Sequence, residues 1–183
     1  MDIRGIPVVS VADRRIRDVA KAGLGPGSRP VIWYNSTVLS FFAPQTRLFW
    51  YAHECGHHAL GHNFGTTHPL RVEQAADCFG IRSLRDNRLV SKRDMRVIQR
   101  DLAKLGRGDW AHLPDRQRAV NLTCCLGSAG MEHRRRPDTR RQSRLGGVCY
   151  TPARPCPLVR PLRLRSQYFC PTPYGHATGQ VEN

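Results

Sequence analysis

The sequence FWYAHECGHHALGHNFG, residues 49–65, contains four of the eight histidines of the 183-residue chain, together with one glutamate and one cysteine. Its apolar residues recur at helical spacing, which predicts a helix over about 45–62. Gly61 and Gly65 are the residues expected to terminate it. Histidines on an otherwise apolar helix have three explanations: a metal that does chemistry, a metal that only stabilises the fold, or no ligand at all.

The first histidine of this helix begins an H-E-x-x-H pattern formed by His53, Glu54 and His57. Residues four apart on an α-helix lie about 40° apart around the axis and about 6 Å apart along it, so the two imidazoles project side by side. Glu54 lies about 100° further round, where its carboxylate can reach a water molecule activated by the metal without being a ligand itself. This arrangement predicts a zinc site with Glu54 as general base.

The third metal ligand is expected from the next helix, which the pattern predicts over 70–84. A catalytic zinc has three protein ligands and one open position, and Glu73 lies sixteen residues after His57. Asp77 lies one turn beyond Glu73 on the same face, where it can accept a hydrogen bond from the second nitrogen of a zinc-bound histidine. The expected ligands are therefore His53, His57 and Glu73, with Asp77 behind them.

These two motifs, HECGH at 53–57 and EQAADCFGIRSL at 73–84, resemble those of the gluzincin metallopeptidases, and the motif at 73–84 is most similar to that of the CAAX-prenyl-protease and heat-shock-protease type. The resemblance implies a zincin-like fold, bound Zn²⁺, and hydrolysis of peptide bonds in a peptide or protein substrate. It implies His53, His57 and Glu73 as ligands, Glu54 as base, and Asp77 in contact with a ligand. The chain differs from that type in lacking membrane helices.

The other histidines and cysteines near the motif have simpler expectations. His58 and His62 form a second pair four residues apart, rotated by about 100° from the first, and are expected to form a polar face of the helix. Cys55 points away from the metal and is expected to pack or to form a disulfide. Cys78 and the pair at 124–125 can form disulfides or stay buried thiols, depending on the compartment. No C-x-x-C pattern occurs among the seven cysteines.

Two strands are predicted before the metal helix, at 6–11 and 29–36, with a short amphipathic helix over 15–22 between them. Further helices are predicted over 92–104, with Ser91 as N-cap, and over 114–124. The expected fold class is α+β and zincin-like: a small sheet packed on the metal-binding helix and on the glutamate-bearing helix.

Gly56 lies in the middle of the predicted metal helix, at a cost of about 1 kcal/mol relative to alanine. That cost indicates a neighbouring element at close range, for which the strand at 29–36 is the expected partner. The zincin-like fold that the resemblance implies has a sheet beside the metal helix and binds peptide at its edge by strand addition, a role expected here for the strand at 29–36. The alternative is that this strand is an ordinary core strand.

The net charge of +15 is unevenly distributed, because residues 126–183 carry ten basic and three acidic residues. All ten are arginines, and the segment is rich in proline and glycine without apolar periodicity. This composition predicts a disordered tail over 127–183 after a metallopeptidase domain over 1–126. A folded, disulfide-bonded extension and a reading frame translated without selection for folding are the alternatives.

The arginine-rich tail also supports a hypothesis of a different class, in which zinc stabilises a non-catalytic module whose tail binds nucleic acid. Such a module needs a fourth protein ligand that closes the zinc site. An inactive descendant that keeps its zinc is a third alternative. For the enzyme, the expected oxyanion donor is one of four residues, among which the sequence does not choose: Tyr51, His112, Arg118 and Tyr150.

The sequence leaves the compartment open. No apolar run approaches the roughly 18 residues of a membrane helix, and the first residues lack the pattern of a signal peptide. A soluble protein is therefore expected, cytoplasmic by default, and an exported, periplasmic form stays open if the N-terminus is incomplete. The substrate and the oligomeric state are not indicated by any motif.

Overall fold

The computed structural model describes residues 1–62, 69–106 and 115–127. Within these ranges the chain forms three strands and five α-helices, which confirms the α+β class. The elements are β1 (Val9–Ala12), β2 (Ala20–Leu24), β3 (Pro30–Tyr34), α1 (Ser36–Leu39), α2 (Pro44–Ala59), α3 (Pro69–Asp86), α4 (Lys92–Leu102) and α5 (Asp115–Gly127). Among the described residues, no helix combines the length and the apolar character needed to cross a membrane.

β3 is the central strand of the sheet. It pairs with β1 in parallel on one side and with β2 in antiparallel orientation on the other. Its β-branched and aromatic residues suit a pleated, half-buried surface, and Ile32 at its centre is fully buried. Because both edges of β3 are paired, the prediction that this strand offers an edge to a peptide is wrong, and the ordinary core strand is the correct alternative.

β2 lies where the sequence predicted a helix. Residues 20–24 pair with β3, so the predicted helix over 15–22 is wrong, because ladder hydrogen bonds to a distant strand outweigh the high helix propensity of alanine and lysine. Gly23 has a packing reason to be glycine: a Cβ there would lie 2.9 Å from Cζ3 of Trp33. β2 is an edge strand of the sheet, and the ring of Trp33 lies against Gly23.

α2 is packed on both sides. Toward the sheet it contacts a small cluster formed by Val8, Ile32, Tyr51 and Cys55. On its other side Phe49 and Ala52 join the main core, which contains residues from all four long helices. This double packing explains why every residue from Phe49 to His58 is buried. The helix ends at Ala59, three residues before the predicted end.

The close neighbour of α2 at Gly56 is α3. A Cβ on Gly56 would lie 3.1 Å from Cα and O of Ala76, and a Cβ on Gly80 would lie 3.0 Å from the backbone nitrogen of His53. The predicted close approach is therefore present, but the prediction that the strand at 29–36 makes it is wrong, because α3 makes it instead. Gly56 faces α3 and Gly80 faces α2, so the two backbones can approach closely. This close approach brings the side chains of α3 within reach of the histidines of α2.

The N-terminus of α2 is capped from outside the helix. Its N-cap residue, Ala43, has no side-chain cap. Instead Asp101 of α4 accepts hydrogen bonds from the backbone nitrogen of Ala43 at 3.2 Å and from Oγ1 of Thr46 at 2.7 Å. A carboxylate at this end also complements the helix dipole. α4 itself begins with the predicted N-cap, Ser91, which forms a capping box with Asp94.

α5 is fixed to α3 by a disulfide between Cys78 and Cys125, whose Cα atoms are 5.1 Å apart. Arg82 of α3 strengthens the same contact, because its Nε donates to the backbone oxygen of Cys125 at 2.7 Å. This settles one pairing that the sequence left open. The predicted tail over 127–183 lies, beyond Gly127, outside the described residues.

Candidate metal centre

Three predicted ligands, His53 and His57 of α2 and Glu73 of α3, come together. Their ligand atoms are 3.1 Å apart for the two Nε2 atoms, 3.1 Å for His53 Nε2 and Glu73 Oε2, and 3.5 Å for His57 Nε2 and Glu73 Oε1. A tetrahedral zinc ion with ligand distances of about 2.0–2.1 Å holds neighbouring ligand atoms about 3.3 Å apart. The three side chains can therefore hold a metal ion with little rearrangement.

The site lies just below the surface. His53 is 2% exposed and His57 is 9% exposed, whereas the side chain of Glu73 retains 19% of its exposure. The ligand atoms are thus largely shielded from water, which strengthens electrostatic interactions among them. Of the three side chains, that of Glu73 is the most accessible to solvent.

Asp77 lies behind His53, as the sequence predicted. Its Oδ1 is 2.8 Å from Nδ1 of His53, the nitrogen that faces away from the ligand cluster. In the absence of metal, burial opposes the charged form of His53, but the hydrogen bonds to Asp77 and Glu73 outweigh it and raise the pKa of His53 to about 9. A metal ion therefore has to displace a proton from this site near neutral pH.

Arg118 of α5 holds Asp77 from the other side. Its Nε and Nη2 donate to the two carboxylate oxygens at 2.8 and 2.7 Å, and both residues are buried. The guanidinium carbon also lies 4.8 Å from the ring centroid of Trp50. Burial alone would raise the pKa of Asp77, but the charge of Arg118 and the hydrogen bond of His53 lower it, so the carboxylate is ionised.

The sequence suggested Arg118 only as a candidate oxyanion donor, and the structure assigns its guanidinium to Asp77 instead. The signal that could have found this role is the spacing within α5: Arg118, Leu122 and Cys125 recur at i, i+4 and i+7, which puts the arginine on the buried face. A charged residue at such a position requires a buried partner of opposite charge.

Glu54 is separate from the ligand group and faces the sheet. Its Oε2 accepts a hydrogen bond from the backbone nitrogen of Ala22 at 2.6 Å, although only 6% of the residue is exposed. Ala22 lies in the middle of β2, and its N–H is directed toward α2 rather than toward β3. The residue predicted as the base is therefore held by a hydrogen bond to an edge strand.

Tyr51, a second candidate oxyanion donor, is engaged with the sheet. Its hydroxyl lies 2.6 Å from Oγ of Ser10 in β1, and burial raises the pKa of the phenol. The remaining candidates, His112 and Tyr150, lie outside the described residues. Cys55, on the same side of α2 as Tyr51, is buried between the helix and the sheet and is disulfide-bonded, which agrees with the expectation that it packs or forms a disulfide.

The prediction that His58 and His62 form a polar helix face is wrong. His58 is fully buried, and its Nε2 lies 3.0 Å from the backbone oxygen of Val31, which links α2 to β3. Burial lowers the pKa of His58, so the ring is held neutral. His62 lies beyond the end of α2, with its Nδ1 3.0 Å from Nδ1 of His57. The prediction failed because it continued the helix through Gly61.

Protein-family models, curated proteins and solved structures give no match to this chain. The resemblance to gluzincin metallopeptidases therefore rests on the two sequence motifs. What the structure adds is that the two histidines and the glutamate of those motifs form one group that can hold a metal ion.

Proposed function

We propose that the protein is a zinc metalloendopeptidase of the gluzincin type with a zincin-like fold, which hydrolyses peptide bonds in a peptide or protein substrate. The observation that carries the proposal is a group of three ligand atoms at tetrahedral spacing, together with the buried carboxylate of Glu54, which lies on the same helix as the two histidines and stands outside the group. A site that serves only to stabilise a fold usually has four protein ligands.

Zinc is the proposed ion because two imidazoles and one carboxylate are a borderline donor set that suits it. When bound, Zn²⁺ polarises a carbonyl group and lowers the pKa of water toward neutrality. The remaining chemistry falls to side chains of the protein.

Glu54 is assigned the role of general base. Its Oε2 is held by the N–H of Ala22, so Oε1 is the atom that we assign to take a proton from the attacking water and to deliver it to the leaving amine. The hydrogen bond to β2 fixes the direction of the carboxylate before substrate arrives. A base held in place in this way needs little reorganisation during the reaction.

His53 and Asp77 set the orientation of the first ligand. When Nδ1–H of His53 donates to Asp77, the lone pair of Nε2, which faces His57 and Glu73, is left free to bind a metal ion. Arg118 supports this arrangement because its positive charge keeps Asp77 ionised and its two hydrogen bonds fix the plane of the carboxylate.

β2 is the proposed docking edge for substrate. It is an edge strand, and the N–H of its central residue, Ala22, reaches the carboxylate of Glu54. A peptide that adds to this edge as an extended strand runs past the proposed base. The role that the sequence gave to the strand at 29–36 thus passes to β2.

The test uses the full chain, metal analysis and a library of internally quenched peptides. Glu54→Gln keeps the three ligands, so it should hold one zinc per chain while hydrolysis falls at least about a hundredfold. Glu73→Ala should lose both zinc and hydrolysis.

Retained hydrolysis in Glu54→Gln would contradict the assignment of the base. A wild-type chain that holds zinc but cleaves no peptide, and that binds nucleic acid in a strongly salt-dependent way, would favour the non-catalytic module instead.

A further inference from the structure

We propose that His62 is a positioning residue that fixes the tautomer and the orientation of His57, an inference that rests on the metal site of the proposed function. The Nδ1 atoms of the two rings are 3.0 Å apart. The rings meet edge to face, with centroids 5.1 Å apart and an angle of 71° between their planes. His62 thus gives the second ligand histidine a hydrogen-bond partner, as Asp77 does for His53.

The backbone at the end of α2 produces this contact. Gly61 has a φ of +72°, in the left-handed region that favours glycine, and its N–H bonds to the backbone oxygen of His58 at 3.3 Å. The chain therefore turns back at Gly61 and places His62 beside His57. A Cβ at Gly61 would also lie 3.1 Å from Cδ1 of Ile3, so the N-terminal segment closes over the turn.

The contact is made on the side of the His57 ring that faces away from the ligand cluster. Nε2 of His57 lies 3.1 Å from Nε2 of His53 and 3.5 Å from Oε1 of Glu73, whereas Nδ1 faces His62. The ligand atoms of the group belong to His53, His57 and Glu73. The geometry therefore assigns His62 to the outer side of a ligand and not to the metal itself.

The protonation pattern follows from the needs of the metal. A metal ion on Nε2 of His57 requires a lone pair there, so the ring proton is on Nδ1. That N–H can only donate, so Nδ1 of His62 accepts, and the proton of His62 is on its own Nε2. One tautomer of each ring is thereby selected, and His57 is held with Nε2 toward Glu73.

The two ligand histidines are consequently supported by partners of different charge. His53 donates to an ionised carboxylate, that of Asp77, whereas His57 donates to a neutral ring. An anionic acceptor makes the opposite nitrogen a stronger ligand than a neutral acceptor does. Replacing His62 by a carboxylate should therefore strengthen metal binding, and removing its acceptor should weaken it.

The test compares two substitutions of similar shape in the full chain. His62→Asn places Oδ1 close to the position of the original Nδ1 and keeps an acceptor, whereas His62→Leu places a methyl group there. Zinc affinity is measured by competition with a chromophoric chelator. We expect His62→Leu to bind zinc about 10- to 100-fold more weakly than wild type, and His62→Asn to recover most of that loss.

A second measurement separates orientation from packing. Long-range ¹H–¹⁵N NMR spectra of the zinc-loaded proteins report which nitrogen of His57 carries the proton. Wild type and His62→Asn should show a slowly exchanging Nδ1–H on His57, and His62→Leu should show a rapidly exchanging one. A role in packing alone would leave this proton unchanged between the asparagine and leucine variants.

Several results would overturn the inference. Equal zinc affinity in His62→Leu and wild type, equal losses in the asparagine and leucine variants, or a spectrum in which His62 itself binds the metal would each contradict it. If His62→Leu does not fold, His62→Asp decides instead, because it should bind zinc more tightly than His62→Asn. A wild-type chain that binds no zinc contradicts the proposed function as well, whereas the other results leave that function standing.

Discussion

Replacing Arg118 by methionine should destabilise the protein strongly, because it leaves Asp77 as a buried carboxylate with only His53 as partner. Both members of the pair are at most 5% exposed, and two hydrogen bonds of 2.7 and 2.8 Å join them. Breaking a buried ion pair from one side typically costs about 3–5 kcal/mol, and the contact of the guanidinium with Trp50 adds up to about 2 kcal/mol. We therefore expect a loss of about 3–5 kcal/mol or more.

The assay is urea unfolding of the metal-free chain under non-reducing conditions, so that the disulfide between α3 and α5 stays intact. Arg116→Met is the matched control, because Arg116 is exposed on the same helix and its replacement should change the free energy of unfolding by at most about 0.5 kcal/mol. The double variant Asp77→Asn/Arg118→Met removes both charges and should lose less than the two single variants together.

A loss of less than about 1 kcal/mol in Arg118→Met would contradict this expectation, since a buried carboxylate that loses its cation is strongly destabilised. Additive losses in the two single variants would contradict it as well, because additivity means that the residues do not interact. In the zinc-loaded protein the same substitution should weaken zinc binding, because Asp77 then holds His53 less firmly.

Three further results are expected from the same structure. Gly80→Ala should cost about 1–3 kcal/mol in urea unfolding and weaken zinc binding, because its Cβ would lie 3.0 Å from the backbone nitrogen of His53; unchanged stability would mean that the helices can move apart freely. Asp101→Ala should cost about 1–2 kcal/mol in the same assay, because it removes the acceptor for Ala43 and Thr46 at the start of α2. The metal-free chain should lose stability as the pH rises, because the pKa of His53 is raised from 6.5 to about 9 in the folded protein. The contribution of His53 to the free energy of unfolding is complete below about pH 6.5 and is lost as the pH passes about 9. A free energy of unfolding that stays constant over that range would contradict this expectation.

The sequence predicted those parts of the site whose geometry is local to one helix or to two consecutive helices. His53 and His57 lie about one turn apart on α2, and Glu73 lies on the next long helix, so helical spacing was sufficient to group these three residues. The mid-helix position of Gly56 also indicated a close neighbour correctly. In these cases the interactions that decide the structure are short-range in sequence.

The parts that the sequence missed depend on distant partners or on a single backbone angle. β2 was predicted as a helix because its partner, β3, is recognised only when the hairpin is formed. The role of Arg118 depends on the packing of α5 against α3, where Arg118 meets Asp77, a residue 41 positions earlier in the sequence. His62 was placed on the helix because the sequence does not show at which glycine the helix ends.

Among the missed residues, Arg118 contributes to the charge balance of the site. Glu54, Glu73 and Asp77 are three carboxylates close to the histidines, and the positive charge of Arg118 compensates only one of them. A divalent cation at the ligand cluster would supply the other two positive charges, so that a largely buried site becomes neutral overall when a metal is bound. Because unbalanced buried charge is costly, this balance favours a divalent ion over a monovalent one and gives Arg118→Met a second effect, a net negative metal site. Neutral supports such as His58 and His62 add hydrogen bonds without disturbing that balance.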